Sequence, residues 1–387
     1  MRHKRGEGSV VGVKVDMMKA YDRVDWRFLL KVLECFGFSK KWCNLINQCI
    51  TIVKFSVLVN GSPFGFFSPS RGLRQGDPLS PYLFILCTEV LSRLLLRREG
   101  EGKLHGVSVG HGCPPISHLM FADDLMLFCR ATATEVEALK DCLEPYKRWS
   151  GQCMNRGKSY IFGSRNASKE RLDDLGTLMG VSRAPDTFDC LGHKLTIRGR
   201  HSGAFDGVVD KIKTRLAGWR AKALSWAGRA TLIRVVFQSI PIYTMCTELA
   251  PAQVCQSLDS IARKFWWRVD QGKSHFLALK SWESLCKPKR LGGLGFRNFS
   301  DMNKSLVAKL GWSILTKPSS PWAKLLINKY GRRANWLEGN CDSRGSPTWK
   351  GIVKSRDVLT RAGGLLSNRG WADCQCLDRS VGSLVHW

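Results

Sequence analysis

The chain has 387 residues, and its 60 lysines and arginines against 32 aspartates and glutamates give a formal net charge of +28. Hydrophobic residues make up 44% of the sequence, which is enough apolar surface to build cores and excludes a disordered tail. No apolar run approaches the roughly 18 residues of a membrane span, and the basic residues 2–5 are not followed by the apolar stretch of a signal peptide.

The excess of positive charge indicates a polyanionic partner, with nucleic acid as the first candidate and an anionic membrane surface as the second. The 15 cysteines are odd in number and scattered, which favours small buried side chains over a disulfide framework. Cys374 and Cys376 have no second Cys or His pair at zinc-finger spacing, so structural zinc is the less favoured alternative.

The first part of the chain predicts strands and helices in alternation. Residues 10–15 are β-branched in large part and predict a buried strand that ends at Asp16. Asp25 is placed to cap the helix that follows it. Residues 55–59 and 64–67 flank an Asn-Gly pair, which predicts a hairpin.

Two further helices and two strands are predicted before residue 150. Residues 81–96 predict a mostly buried helix, and residues 118–130 predict two strands with Asp123 and Asp124 at the turn between them. Residues 134–149 predict an amphipathic helix, because Thr134 and Glu137 have the spacing of a capping box.

After residue 200 the pattern becomes mostly helical. Apolar residues recur at helical spacing over 205–219, over 225–240 with a cap at Ser225 and a stop at Pro241, and over 254–265. From about residue 287 the chain is rich in Gly and Trp and predicts short helices. Basic residues outnumber acidic ones over 201–300, which suits either a nucleic-acid cradle or a solvated helical bundle.

Three segments together predict chemistry at phosphorus. Taken singly, an Asp that ends a strand, a Gln-Gly-Asp-Pro turn and an Asp-Asp hairpin are ordinary features. In combination, Asp16 at a strand end can meet Asp123 and Asp124 in a neighbouring turn. Such carboxylates are hard oxygen ligands suited to Mg²⁺, and two ions about 3.5–4 Å apart suit an in-line displacement.

These segments resemble motifs A, B and C of reverse transcriptases, specifically those of plant LINE-type non-LTR retrotransposons. The matching residues are Lys-Ala-Tyr-Asp-Arg-Val-Asp-Trp at 19–26, Arg-Gln-Gly-Asp-Pro-Leu-Ser-Pro at 74–81 and Phe-Ala-Asp-Asp at 121–124. They stand in the family's order and at its approximate spacing. Residues 150–159, 224–243 and 291–312 extend the resemblance over nearly the whole chain.

The resemblance implies an α+β fold: a right-hand polymerase palm, with an antiparallel sheet, helices and truncated fingers, followed by a mostly α-helical thumb and connection region. The domains expected from it are a palm with partial fingers at 1–165, a helical thumb-like region at 166–270 and a retroelement-specific region at 271–387.

The resemblance also implies a metal site. Asp16 and Asp123 would be the main Mg²⁺ ligands, and Asp124 would complete the acidic triad of catalytic residues. Two ions are expected, with Mn²⁺ as an alternative. Lys158 matches a candidate proton donor to the leaving pyrophosphate, and an ordinary surface lysine is the competing interpretation.

Further positions match the family's substrate site. Tyr21 matches the steric gate that disfavours a ribose 2′-hydroxyl, and Arg74, Gln75 and Gly76 match the loop beside the incoming nucleotide and the template. The implied partners are an RNA template, a DNA primer and a dNTP, without a membrane and with protein partners left open. A working element that primes on chromosomal DNA would act in the nucleus.

The family's fingers and endonuclease precede the segment at Asp16, where this chain has fifteen residues. We therefore expect a truncated copy with weak or absent catalysis. A catalytically inactive nucleic-acid-binding remnant is the alternative from another class. A group II intron maturase shares the palm motifs, but residues 291–312 argue against it.

Overall fold

The computed structural model describes residues 8–110, 112–164, 166–197, 205, 207–217, 224–267, 277–331 and 345–367. The chain divides into two compact units, the first formed by Met1–Val109 and Pro114–Gly199 and the second by Gly110–Cys113 and Arg200–Trp387. The expected division at 165 and 270 stays a prediction. Among the described helices, none is long and apolar enough to cross a membrane.

The first unit combines a mixed sheet, two small hairpins and helices. Its strands are β1 (Val10–Asp16), β2 (Phe55–Val59), β3 (Ser62–Phe67), β4 (His118–Phe121), β5 (Asp124–Arg130), β6 (Tyr160–Gly163), β7 (Ser182–Arg183), β8 (Thr187–Cys190) and β9 (His193–Thr196). Its helices are α1 (Trp26–Cys35), α2 (Lys40–Thr51), α3 (Ser80–Gly100), α4 (Ala133–Ser150) and α5 (Lys169–Met179), with a 3-10 turn at Tyr21–Arg23.

The main sheet has the strand order β4-β5-β1-β6-β7, with β1 central and antiparallel to both β5 and β6. Alternate residues of β1, namely Val11, Val13 and Val15, are fully buried. They pack in one core with Leu91 of α3 and Leu139 of α4, so the helices cover this face of the sheet. The expected α+β fold with an antiparallel-rich sheet is confirmed.

The β8–β9 hairpin packs on the opposite face of the sheet. Phe188 and Cys190 of β8 are buried against Phe162 of β6. Gly12 of β1 lies beneath the Phe162 ring, where an added Cβ would come within 2.5 Å of a ring carbon. A residue without a side chain at this position therefore allows the aromatic layer to close over β1.

Most of the local predictions are confirmed. The carboxylate of Asp25 accepts a hydrogen bond from the Phe28 amide and caps α1. Asn60 and Gly61, which join β2 to β3, both have positive φ angles, of 50° and 83°. Such angles are typical of tight two-residue hairpin turns.

Two helix predictions need correction. Helix α3 is only partly buried, since the apolar side chains Tyr82 and Ile85 are exposed on its outer face. Helix α4 is capped by Thr132, whose hydroxyl accepts from the Glu135 amide, and not by Thr134. The Glu135 carboxylate is buried and accepts from other groups, including the His105 amide.

The second unit is helical in its described part. Its helices are α6 (Val208–Ala217), α7 (Trp226–Leu232), α8 (Ile242–Met245), α9 (Ala252–Trp267), α10 (Trp282–Cys286), α11 (Phe299–Thr316), α12 (Pro321–Tyr330), α13 (Pro347–Lys354) and α14 (Arg356–Ser367), with a π-helix at Ile233–Phe237 and a 3-10 turn at Lys289–Leu291. Ser225 caps α7 as predicted. Helix α11 has 18 residues, so the prediction of only short helices after residue 287 is wrong.

Some predictions fall partly outside the described residues. The helical pattern over 205–219 forms α6, but Trp219 lies outside the described part, as do Cys374 and Cys376. Most of the described cysteines are buried, as expected, and burial raises the pKa of the Cys87 thiol to about 12.

Asp259 in α9 makes the stability of the second unit depend on pH. Burial is the main cause that raises the pKa of its carboxyl to about 6, although the carboxylate accepts a hydrogen bond from Trp282 Nε1. The folded state therefore holds this proton more tightly than the unfolded chain, whose pKa is near 3.8. By linkage, the contribution of Asp259 to the free energy of unfolding therefore decreases as the pH rises from the lower of these pKa values to the higher.

We expect the wild type to lose stability relative to Asp259→Asn as the pH rises from about 4 to about 6, by roughly 1–2 kcal/mol after allowance for solvent screening. Urea unfolding of both proteins at several pH values measures this difference in the free energy of unfolding. The contributions of the other titrating groups are common to both proteins and cancel. A difference that stays constant or runs in the opposite direction would contradict the prediction.

Candidate active site

Three carboxylates, those of Asp16, Asp123 and Asp124, lie at one end of the main sheet, where β1 ends and β5 begins. This end of the sheet is called the acidic edge below. Asp16, the last residue of β1, faces Asp124, the first residue of β5, in the antiparallel register. Ala122 and Asp123 form the two-residue turn between β4 and β5, and Ala122 has a positive φ angle of 51°. The turn therefore lies one residue earlier than predicted, while Asp16, Asp123 and Asp124 are still brought to the same edge.

The carboxylates are within electrostatic reach of one another. Burial is the main cause that raises the pKa of Asp124; the charges of Asp123 and Asp16 raise it further, and Lys14 opposes them. Burial also raises the pKa of Tyr21, with a second contribution from Asp123. A concentration of negative charge of this kind favours the binding of a cation.

The fit of this edge to a metal ion is partial. Nowhere in the described ranges do three Asp, Glu, His or Cys side chains form a group that could hold a metal ion by themselves. The donors at the edge are nevertheless carboxylate oxygens, and Mg²⁺ commonly completes its shell with water and substrate phosphates. The residues thus suit an ion that arrives with a phosphate ligand better than a closed structural site.

The end of β1 is hydrogen-bonded to the segment after α4. The Asp16 amide donates to the Ser159 hydroxyl at 3.0 Å, and the Asp16 carbonyl accepts from the Asn155 amide at 2.8 Å. Ser159 is fully buried. Ser159 and Asn155 lie in the segment 150–159 that resembles the family, but no role could be predicted for them. Their partner, Asp16, is some 140 positions away in the sequence.

Tyr21 is fixed beside the acidic edge. Its ring stacks on Phe84 of α3, with the ring centroids 4.8 Å apart and the planes 11° apart. The neighbouring Ala20 carbonyl accepts a hydrogen bond from Gln152 Nε2 at 2.7 Å. The stacking restricts the Tyr21 ring and the hydrogen bond holds the backbone before it, which suits a residue that limits the shape of a substrate.

The Arg74–Gly76 loop is attached to the same segment. The Leu73 amide donates to the Tyr21 carbonyl at 2.8 Å, and Gln75 Nε2 donates to Asp22 Oδ1 at 3.3 Å. Gly76 has a φ angle of 86°, which only glycine adopts readily. Arg74 and Asp22 line a cavity of about 220 Å³ beside this loop.

Two lysines of this region have different surroundings. Lys158 is exposed in the turn before β6, next to Ser159, and its ammonium has no ion pair with any described residue. Lys14 was not predicted as a site residue, yet its Nζ lies 3.8 Å from Asp124 Oδ1. The alternation of β1 does place Lys14 on the same face as Asp16, which is the signal that could have identified it.

An antiparallel-rich sheet with carboxylates at a strand end and at the adjoining hairpin turn is the arrangement that the resemblance to polymerase palms implies. Comparison with known proteins gives the family. The chain belongs to the reverse transcriptase (RNA-dependent DNA polymerase) family, whose sequence model matches residues 2–195. Membership implies a divalent metal requirement and a nucleic-acid partner in general terms.

Relatives include plant and retrotransposon proteins. A putative ribonuclease H protein of Arabidopsis thaliana is 35% identical over 183 residues, which are 44% of this chain and 28% of the relative. A retrovirus-related Pol polyprotein from the type-2 retrotransposable element R2DM of Drosophila melanogaster is 29% identical over 194 residues, 48% of this chain and 18% of the relative. The chain thus spans about a quarter or less of these two relatives.

Among solved structures, a telomerase from Candida tropicalis in complex with a fragment of telomeric RNA is 11% identical, with a TM-score of 0.38. The match covers 98% of this chain and 49% of the telomerase chain.

Proposed function

We propose that the chain catalyses RNA-templated DNA synthesis, in which a primer 3′-hydroxyl attacks the α-phosphate of a dNTP and pyrophosphate leaves. The observation that carries the proposal is the pairing of Asp16 with Asp124, beside Asp123, at one sheet edge of a reverse transcriptase family member. Nucleotidyl transfer depends mainly on positioning and on charge neutralisation, and this edge can contribute to both.

Asp16, Asp123 and Asp124 would hold Mg²⁺, with two ions expected and Mn²⁺ as an alternative. When bound, Mg²⁺ supplies charge neutralisation at the triphosphate and at the attacking oxygen. The Asp16 amide donates to the Ser159 hydroxyl and the Asp16 carbonyl accepts from the Asn155 amide, which holds the strand end that carries this carboxylate.

The remaining predicted residues take roles around the substrates. Tyr21, held against Phe84, would exclude a ribose 2′-hydroxyl. Arg74, Gln75 and Gly76 would contact the incoming dNTP and the template. Lys158, exposed beside Ser159, would donate a proton to the leaving pyrophosphate.

Primer extension on an RNA template, with dNTPs and Mg²⁺, tests the proposal. We expect extension by the wild type, even at a low rate, and none by Asp123→Ala or after chelation of the metal. If neither protein extends the primer while both bind nucleic acid with a steep dependence on salt, the chain is a nucleic-acid-binding remnant instead. The net charge of +28, which suits contacts to phosphates without any chemistry, is the observation that favours this second candidate.

Replacing Tyr21 by Ala should relax discrimination against ribonucleotides. The ring stacked on Phe84 would be lost, and the space that excludes a 2′-hydroxyl would open. We expect the ratio of kcat/KM for dNTP over rNTP to fall roughly 10- to 100-fold, the range that one unfavourable contact of about 1.4–2.7 kcal/mol provides. Tyr82→Ala, on the exposed face of α3, is the control and should leave the ratio unchanged.

A further inference from the structure

Lys14 occupies an unusual position for a lysine. It lies two residues before the end of β1, on the face that β8–β9 covers, and only 13% of its side chain is exposed. Lysine side chains in folded proteins are mostly exposed, so a lysine stem that is covered to this extent requires contacts that hold its ammonium in place. The groups around this ammonium should therefore explain its presence.

The ammonium contacts two elements at once. Lys14 Nζ donates a hydrogen bond to the Asp189 carbonyl at 2.7 Å and lies 3.8 Å from Asp124 Oδ1. Asp189 belongs to β8, between Phe188 and Cys190, which are buried against the sheet. Lys14 thereby connects the β8–β9 hairpin to a carboxylate of the acidic edge.

We propose that Lys14 is a positioning residue that couples the placement of the β8–β9 hairpin to the occupancy of the acidic edge by a divalent ion, an inference that rests on the proposed function. In the absence of a divalent ion, its ammonium supplies a positive charge to Asp124 and holds β8 through the Asp189 carbonyl. A divalent ion at the edge competes with this ammonium for Asp124. Ion binding therefore weakens one of the two contacts that hold Lys14 in place.

The coupling differs from a simple structural tether in what it predicts for metal affinity. A tether that acts only on the hairpin would leave the affinity of the edge for cations unchanged when Lys14 is replaced. A competing charge 3.8 Å from Asp124 would lower that affinity, so its removal should raise it.

The variants Lys14→Met and Lys14→Arg distinguish a structural tether from a charge that competes with the ion. Lys40→Met, at the exposed start of α2, is the control. Met retains the apolar stem without the charge, and circular dichroism checks that each variant folds. We expect amides in 187–196 to exchange hydrogen roughly fivefold faster in Lys14→Met, because one hydrogen bond is lost. Lys14→Arg should return exchange close to the wild-type rate.

Mn²⁺ binding, followed by the electron paramagnetic resonance signal of the free ion, gives the second readout. We expect Lys14→Met to lower the Kd for Mn²⁺ roughly three- to tenfold, since a partly screened positive charge is removed. Lys14→Arg and Lys40→Met should keep the wild-type Kd.

Unchanged exchange in Lys14→Met would overturn the inference, and so would faster exchange with an unchanged Kd, because Lys14 would then be only a tether. If no form of the protein binds Mn²⁺, the metal-holding role in the proposed function and the coupling both fail. If Mn²⁺ binds and both readouts shift but no primer is extended, the inference holds while the proposed function fails.

Discussion

Asp16→Asn is expected to reduce primer extension by roughly 100-fold or more, the usual scale for losing a central electrostatic contribution to a transition state. Asn has nearly the same size as Asp and lacks only the charge. The Asp16 contacts to Ser159 and Asn155 are made by backbone atoms, so they persist in the variant. The loss should therefore appear in the rate and not in the stability.

Single-turnover extension with saturating primer, template and dNTP measures this effect, and thermal unfolding of the same samples checks the fold. Asp141→Asn is the matched control, because Asp141 is exposed on α4 and the substitution is chemically identical. An Asp16→Asn protein that retained more than a tenth of the wild-type rate would show that Asp16 is not a principal ligand.

The strand and turn that carry the acidic edge could be predicted from local sequence. The β-branched residues of β1 and the apolar residues on either side of Asp123 have local preferences that agree with their final environment. The offset of one residue at the turn arose because Asp-Asp is the more typical turn pair, whereas the chain places Ala122 in a left-handed conformation.

The cap of α4 shows where local pattern is ambiguous. Thr132 and Thr134 each have a glutamate three residues later, so the capping-box spacing occurs twice. The structure uses Thr132, and the Glu135 carboxylate accepts from the Arg130 amide instead of the cap residue. Burial of this carboxylate against residues distant in sequence decides between the two patterns.

The support around the acidic edge could not be predicted, because its contacts join distant parts of the chain. Lys14 meets a carbonyl 175 positions away, and Asp16 meets a hydroxyl 143 positions away. Periodicity indicates which face of β1 these residues occupy, but only the assembled sheet shows which elements cover that face.

Gly151→Ala is expected to be the most disruptive small substitution near the site. Gly151 ends α4 in a left-handed conformation with a φ angle of 75°, and an added Cβ would lie 2.5 Å from the Arg23 carbonyl oxygen. The Gly151 carbonyl also accepts a hydrogen bond from Arg23 Nε at 2.9 Å. The new methyl group would strain the backbone at Gly151. It would also clash with the backbone carbonyl of Arg23, and such a clash cannot be relieved by rotation of a side chain.

We expect Gly151→Ala to destabilise the first unit by roughly 2–4 kcal/mol, which combines the conformational penalty with the backbone clash. Urea unfolding measures the total effect, and hydrogen exchange in β1 assigns it to this unit. Gly100→Ala is the matched control, because its added Cβ meets open space at the end of α3, where alanine favours the helix. Equal stability of the two variants would contradict the prediction.

The same substitution should also reach the active site, because Arg23 belongs to the 3-10 turn that begins with Tyr21. A shift of the Arg23 carbonyl would displace this turn and alter the stacking of Tyr21 on Phe84. Under conditions where Gly151→Ala remains folded, we expect its discrimination between dNTP and rNTP to weaken, whereas Gly100→Ala should discriminate as the wild type does. A folded Gly151→Ala protein with full discrimination would show that the α4 end and the Tyr21 turn move independently.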